Sequence, residues 1–179
     1  MILPFSTSRL RVLITGLGLT GLFLASGCSN YHLGTKSAPL LFKSLFIAPV
    51  VNTAAVPQAV VPVSTAIRTA LMNNPRVQLS ATSDTADAII EVTLVKYGRD
   101  FTAVLPTDTA LARKFDITLT AICTLTHQGT GRVLFANREI KSTRQIFVDG
   151  GQNPAEYQVM PQLADDLARR IAHAVLDVW

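Results

Sequence analysis

Two periods run through the apolar positions of this chain. From Phe115 to Leu125 the period is two: Phe115, Ile117, Leu119, Ala121, Cys123 and Leu125 fall on one side, and Asp116, Thr118, Thr120, Thr124 and Thr126 on the other, interrupted only by Ile122. Successive side chains of a strand point to opposite faces, so this segment predicts a half-buried antiparallel strand with a threonine-rich outer face. Ala88, Ile90, Val92 and Leu94 repeat the alternation and predict a strand over 88–97, but Ile89 and Val95 make its second face only half polar. Elsewhere the period is helical. Val60, Val63, Ile67 and Leu71 form one stripe within 57–72, and Met160, Leu163, Leu167, Ile171, Val175 and Val178 form a longer one near the C-terminus.

The intervening residues supply the punctuation. Residues 44–51 are apolar and partly β-branched, a first strand in which Pro49 marks an edge or a bulge. Pro57 suits a first helical turn, whereas Pro62 would break an interior, so the helix is expected to begin nearer residue 61 and to stop before Asn73-Asn74-Pro75. A short strand at 77–80 and a turn at 84–87 follow. Residues 99–114 read as a polar loop, Gln128-Gly129-Thr130-Gly131 as a hairpin turn, and 132–148 as a long polar return strand. Asn153 and Pro154 have the chemistry of a cap and a first turn, and Pro161 either kinks the terminal helix or starts its regular part. Asp165 with Arg169 and Asp166 with Arg170 are spaced as solvent-side pairs. Two helices packed on one face of a mostly antiparallel sheet of four to five strands make an α+β domain over 44–179.

The N-terminus changes the picture. Arg9 and Arg11 precede an apolar run that ends in Leu24-Ala25-Ser26-Gly27-Cys28. A basic start, an apolar middle and a small-residue cut are the parts of a secretory signal. With cysteine at the cut, the stretch resembles a bacterial lipobox, although that pattern prefers a larger apolar residue where Ala25 stands. The expectation is that residues 1–27 are removed and that Cys28 is acylated, with 28–43 forming a lipidated tether. Several acyl chains anchor stably where one does not. Ser29 and Asn30 lack the aspartate that retains lipoproteins at the inner membrane, so the expected location is the periplasmic side of the outer membrane. The strand-like Val12-Leu13-Ile14-Thr15 and the G-x-G-x-x-G run Gly16 to Gly21 imitate a dinucleotide-binding turn. That turn requires an acidic residue about 20 positions on, and the first acidic residue here is Asp84.

Composition excludes more than it assigns. Without residues 1–27, 14 basic residues face 12 acidic ones, too even a balance for a nucleic-acid protein. Cys123 has no partner for an intramolecular disulfide once Cys28 is acylated, and an oxidising compartment predicts that it is buried. His32, His127 and His173 lack metal-ligand spacing. Asp165 and Asp166 are adjacent on a helix and diverge, so they make no catalytic dyad. No catalytic constellation, metal or cofactor is expected. Two features suit binding: the threonine face with Ile122, and the basic set Lys96, Arg99, Arg113, Lys114, Arg138, Lys141 and Arg144, a set fit for phosphate.

With the chain read through, Gly27-Cys28-Ser29-Asn30-Tyr31-His32-Leu33-Gly34 resembles the start of the lipopolysaccharide-assembly lipoprotein family LptE. Ile47-Ala48-Pro49, Arg113-Lys114-Phe115-Asp116-Ile117-Thr118-Leu119 and Ala155-Glu156-Tyr157 are similar to further segments of one branch of that family, in the same order. The resemblance implies an α+β sandwich that occupies the lumen of the outer-membrane barrel LptD and helps deliver lipopolysaccharide to the cell surface. It implies lipopolysaccharide contact at Arg113 and Lys114; Lys96 and Arg99, from the basic set above, are further candidates. The competing reading is a tethered lipoprotein that activates a peptidoglycan synthase. A tether of about 15 residues spans at most roughly 50 Å, which favours a partner at the outer membrane.

Overall fold

The computed structural model describes residues 40–101, 114–147 and 152–178. The expected signal, Cys28, His32, most of the expected tether, Arg113, Asp149-Gly150-Gly151 and Trp179 lie outside the described residues. The elements are β1 (Ser44–Ile47), β2 (Val51–Asn52), α1 (Val60–Met72), β3 (Gln78–Leu79), β4 (Ala88–Phe101), β5 (Lys114–His127), β6 (Val133–Phe147) and α2 (Gln152–Leu176). They form one mixed sheet in the order β3-β1-β4-β5-β6, with β2 continuing the line of β1 along β4. The fold is α+β as the pattern predicts. Its long strands β4, β5 and β6 are antiparallel, but β1, β2 and β3 all pair in parallel. Parallel neighbours need a crossover, and α1 supplies one between β1 and β3.

Several boundaries differ from the sequence reading, each for a physical reason. Proline has no N–H to donate to a ladder, so the expected strand 44–51 is cut around Pro49 into β1 and β2. A 3-10 turn at Pro57–Ala59 precedes α1, which leaves Pro62 in the first turn, where no intrahelical bond is lost. The terminal helix begins at Gln152, placing Asn153 and Pro154 inside its first turn rather than at a cap. Pro161 lies well inside α2 and removes a donor from the carbonyl of Tyr157, a residue exposed enough for water to replace it. Of the polar loop expected over 99–114, Arg99 to Phe101 belong instead to β4 and Lys114 opens β5; residues 102–113 lie outside the described residues.

The core lies between the sheet and the two helices. Val63, Ile67 and Leu71 of α1 and Leu163, Leu167, Ile171 and Val175 of α2 are completely buried, as are Ile90, Leu94, Ile117, Leu119 and Leu125 from the strands. Cys123 is buried with them, and burial pushes its thiol up to about 12, so it packs as a small apolar group. Among the described residues no helix is long and apolar enough to cross a membrane.

The topology gives the domain two ends. At one, β1, β3 and β4 begin, β5 turns into β6, and both helices finish; Asn73 of α1 and Leu176 of α2 line one groove there. At the other, β4 and β6 finish, β5 begins and α2 starts; α1, only about 20 Å long, starts part-way towards it, with Gln58 beside Glu156. The fourteen residues of β4 separate the two ends by about 40 Å.

Asp87 secures the first end. Its carboxylate accepts the backbone N–H groups of Lys43 and Ser44, both at 2.9 Å. These bonds, with the Ser44 hydroxyl, hold its carboxyl below the usual carboxylate range. A depressed folded-state pKa contributes stability that is complete above the unfolded value and is lost as pH falls through the folded one. Asp87→Ala is therefore expected to cost about 1 kcal/mol at neutral pH, as loss of a cap does. In urea titrations the gap between the two proteins should close under strongly acidic conditions.

Candidate functional site

A single irregularity in β4 sorts the candidate residues. The ladder between β4 and β5 shifts between Leu94 and Lys96, a β-bulge at Val95. Before it, Ala88, Ile90, Val92 and Leu94 face the helices; after it the parity reverses, so Tyr97 and Arg99 face the helices while Lys96, Gly98 and Asp100 turn outward. Without the extra residue, Lys96 would point into the core.

The seven basic candidates divide accordingly. Across β5 and β6 the register places Lys96, Lys114 and Lys141 on the outer face, and Arg99, Arg138 and Arg144 on the helix face. Lys96 and Arg99, grouped together on sequence, thus lie on opposite sides of the sheet. Arg113 falls outside the described residues. The division follows side-chain chemistry, since a guanidinium makes forked bonds in half-buried places that suit an ammonium poorly.

On the helix face the arginines are engaged. Glu156 of α2 is only 5% exposed, and Arg99 grips it with Nε at 2.8 Å from Oε1 and Nη2 at 2.9 Å from Oε2. The Tyr97 hydroxyl donates to Oε2 at 2.9 Å, and the Arg99 guanidinium stands 5.4 Å from the Tyr97 ring centre. Burial, then the bond to Glu156, pushes the Tyr97 phenol up to about 12. Glu156 raises the pKa of Arg99 further. Asp166, expected on the solvent side, is instead a junction between layers. It accepts the Ser142 hydroxyl at 2.9 Å and Arg170 Nε at 3.1 Å, with Arg144 at 3.7 Å. Burial pushes its carboxyl up, but the Ser142 bond, Arg170 and Arg144 outweigh that and hold it low. Asp165 pairs with Arg169 as the spacing predicts.

The outer face is different in kind. Lys96, Thr120 and Lys141 are direct neighbours in one row across β4, β5 and β6. The two lysines are therefore about 10 Å apart, at twice the strand spacing. The next row is Gly98, Thr118 and Thr143, in which the two threonine hydroxyls bond at 2.9 Å. Together the rows line a cleft of about 430 Å³, bordered by Asp100 and Glu139. Lys141 is 3.9 Å from Glu139 and remains 67% exposed, and Lys96 makes no ion pair among the described residues. Thr120 is buried between them. Two ammonium groups flanking rotatable hydroxyls on a rigid sheet can hold a phosphate-bearing ligand through charge-assisted bonds. Among the described residues no group of three histidine, cysteine or acidic side chains is placed to hold a metal.

The family model for LptE, lipopolysaccharide-assembly, matches residues 42–175, a range that includes every strand, all of α1 and nearly all of α2. The chain belongs to the LptE family. No curated protein matches it in sequence. Among solved structures, this LptE-family chain is similar to the hypothetical protein CT253 of Chlamydia trachomatis, with 9% identity, a TM-score of 0.53, and coverage of 76% of this chain and 97% of that one. Protein XCC0632 of Xanthomonas campestris gives 13% identity and a TM-score of 0.51, over 80% of this chain and 88% of that one. A minor lipoprotein of Acinetobacter baumannii is 16% identical with a TM-score of 0.47, covering 77% and 93% of the two chains. At such identities the first two likenesses concern the fold alone.

Proposed function

We propose that this LptE-family chain is an acylated outer-membrane lipoprotein that occupies the lumen of an LptD-type barrel, assists its assembly, and contacts lipopolysaccharide during delivery to the cell surface. In this reading residues 1–27 are cleaved, Cys28 carries the acyl chains on the periplasmic side, and residues 28–43 tether the domain. The protein acts by binding, without catalysis or cofactor.

The family match carries this reading, because it runs across the whole sheet and both helices. The outer face adds chemical support. A lumen plug needs a surface that stays wet, and hydroxyls interleaved with charges provide one. The phosphates of lipopolysaccharide suit the Lys96–Thr120–Lys141 row. Lys114 stands further along the same face, and Arg113 precedes it in sequence, which keeps both as contacts in this proposal. Arg99 serves instead to fix α2 through Glu156.

Affinity purification of the tagged chain from detergent-solubilised membranes tests the assignment. A heat-modifiable barrel and lipopolysaccharide should co-elute. Recovery of a penicillin-binding protein in their place would replace this reading with synthase activation.

A further inference from the structure

The end of the domain where the tether enters carries a second surface. Leu40 joins the fold next to β1, and β1 starts beside β3, where Gln78 N–H donates to the Lys43 carbonyl at 2.9 Å. The turn from α1 into β3 is at this same end, so Met72 and Arg76 border the tether entry. Leu41 is 43% exposed and Met72 is 71% exposed. Both are large apolar side chains facing solvent. The charge around them is one-sided for a long stretch of chain: from Cys28 to Ser83 the charged residues are Lys36, Lys43, Arg68 and Arg76, with no acidic residue. Of the aspartates near this end, Asp87 is bound to backbone N–H groups and Asp165, which lines the groove with Asn73 and Leu176, pairs with Arg169; Asp84 and Asp177 are exposed.

We propose that this end rests on the lipid leaflet that holds the anchor, with Leu41 and Met72 at the headgroup boundary and Lys43, Arg68 and Arg76 toward anionic headgroups. The inference rests on the acylation of Cys28 proposed above. Eleven residues separate Cys28 from Leu40. As a coil they span about 20 Å, half the length of β4, so the entry end stays close to the leaflet. At that spacing a contact too weak to recruit a free protein is populated, because the anchor supplies a high effective concentration. Basic side chains near an anionic surface add to it within a Debye length. Lys114, at the other end of β5, is held about 40 Å away. The leaflet therefore meets one end of the domain, and the proposed lipopolysaccharide contacts extend away from it.

The test uses the full acylated chain in vesicles of phosphatidylethanolamine and phosphatidylglycerol that contain a headgroup-spin-labelled lipid. A fluorophore is attached at Leu41→Cys or Met72→Cys, and as sites away from this end at Val61→Cys, about 17 Å back along α1, or Tyr157→Cys, near the start of α2. All four positions are exposed, and buried Cys123 does not compete for the label. Strong quenching at positions 41 and 72, with solvent-level quenching at 61 and 157, is expected. Equal quenching at all four, or deeper quenching at 61 and 157, in protein that floats with the vesicles would overturn the orientation. Protein that fails to float and shows an unmodified thiol at Cys28 by mass spectrometry would instead remove the anchor, and this inference with it.

Discussion

Arg99→Met is expected to lower the unfolding free energy by about 3 kcal/mol, the lower end of the cost of breaking a buried ion pair. The substitution leaves the Glu156 carboxylate in place at 5% exposure and removes two close polar contacts at once, the forked guanidinium bonds, together with the charge that balances it. The Tyr97 hydroxyl still donates to the carboxylate. The lower end applies because Arg99 itself is about half exposed, so part of its charge is already screened by water. The decisive variant is the double replacement Arg99→Met with Glu156→Leu. Removing both partners leaves no stranded charge, so most of the lost stability should return. Urea denaturation of the three proteins measures it. A double variant as unstable as the single one would show that packing, rather than the uncompensated carboxylate, sets the cost.

Reversing Lys96 and Lys141 together to glutamate should weaken lipopolysaccharide binding by about 30- to 100-fold, while the melting temperature stays nearly unchanged. Each lysine–phosphate contact is worth about 1.5 kcal/mol as a charge-assisted bond, and exposure reduces that. Two such losses come to about 2–3 kcal/mol, or one and a half to two decades of affinity. The fold should tolerate the change because both side chains are exposed and lie outside the core. The same charge reversal at Lys114 alone should have a smaller effect, and raising the salt concentration should narrow all the differences. Unchanged affinity in the double variant, measured with purified acylated protein, would remove the row from the binding surface.

Much of the architecture was legible because both periods are strong. The alternation from Phe115 to Leu125 specifies β5 and its two faces, and it correctly places Cys123 inside. The stripe from Met160 to Val175 specifies α2. Parallel pairing was not legible, because β1 and β3 are four and two residues long and nothing in such short runs encodes direction. The candidate site was half legible. Composition identified the basic residues, but their faces depend on the bulge at Val95. One clue was present: inward alternation after Leu94 would bury Lys96 and expose Tyr97, a conflict that a one-residue slip removes. Glu156 left a similar trace. It lies four residues before Met160, on the apolar stripe of the terminal helix, and an acidic residue at such a position calls for a buried cation partner. Asp166 looked like half of an ordinary helix-surface pair because its Arg170 spacing is real; its contacts with Ser142 and Arg144 cross from another element and leave no local signature.

The sandwiching of β1 between two parallel neighbours also sets an order of events as the chain folds. The hairpin of β5 and β6 closes through a tight turn, whereas joining β1 to the start of β4 must first gather a loop in which Ser44 and Asp87 are 43 positions apart. Loop-closure entropy delays such distant pairings. The three-stranded meander thus forms early, and β1 is the last to be inserted. Until then β4 keeps a raw edge, so the folding chain is most prone to mispairing while the first strand in sequence still waits for its place.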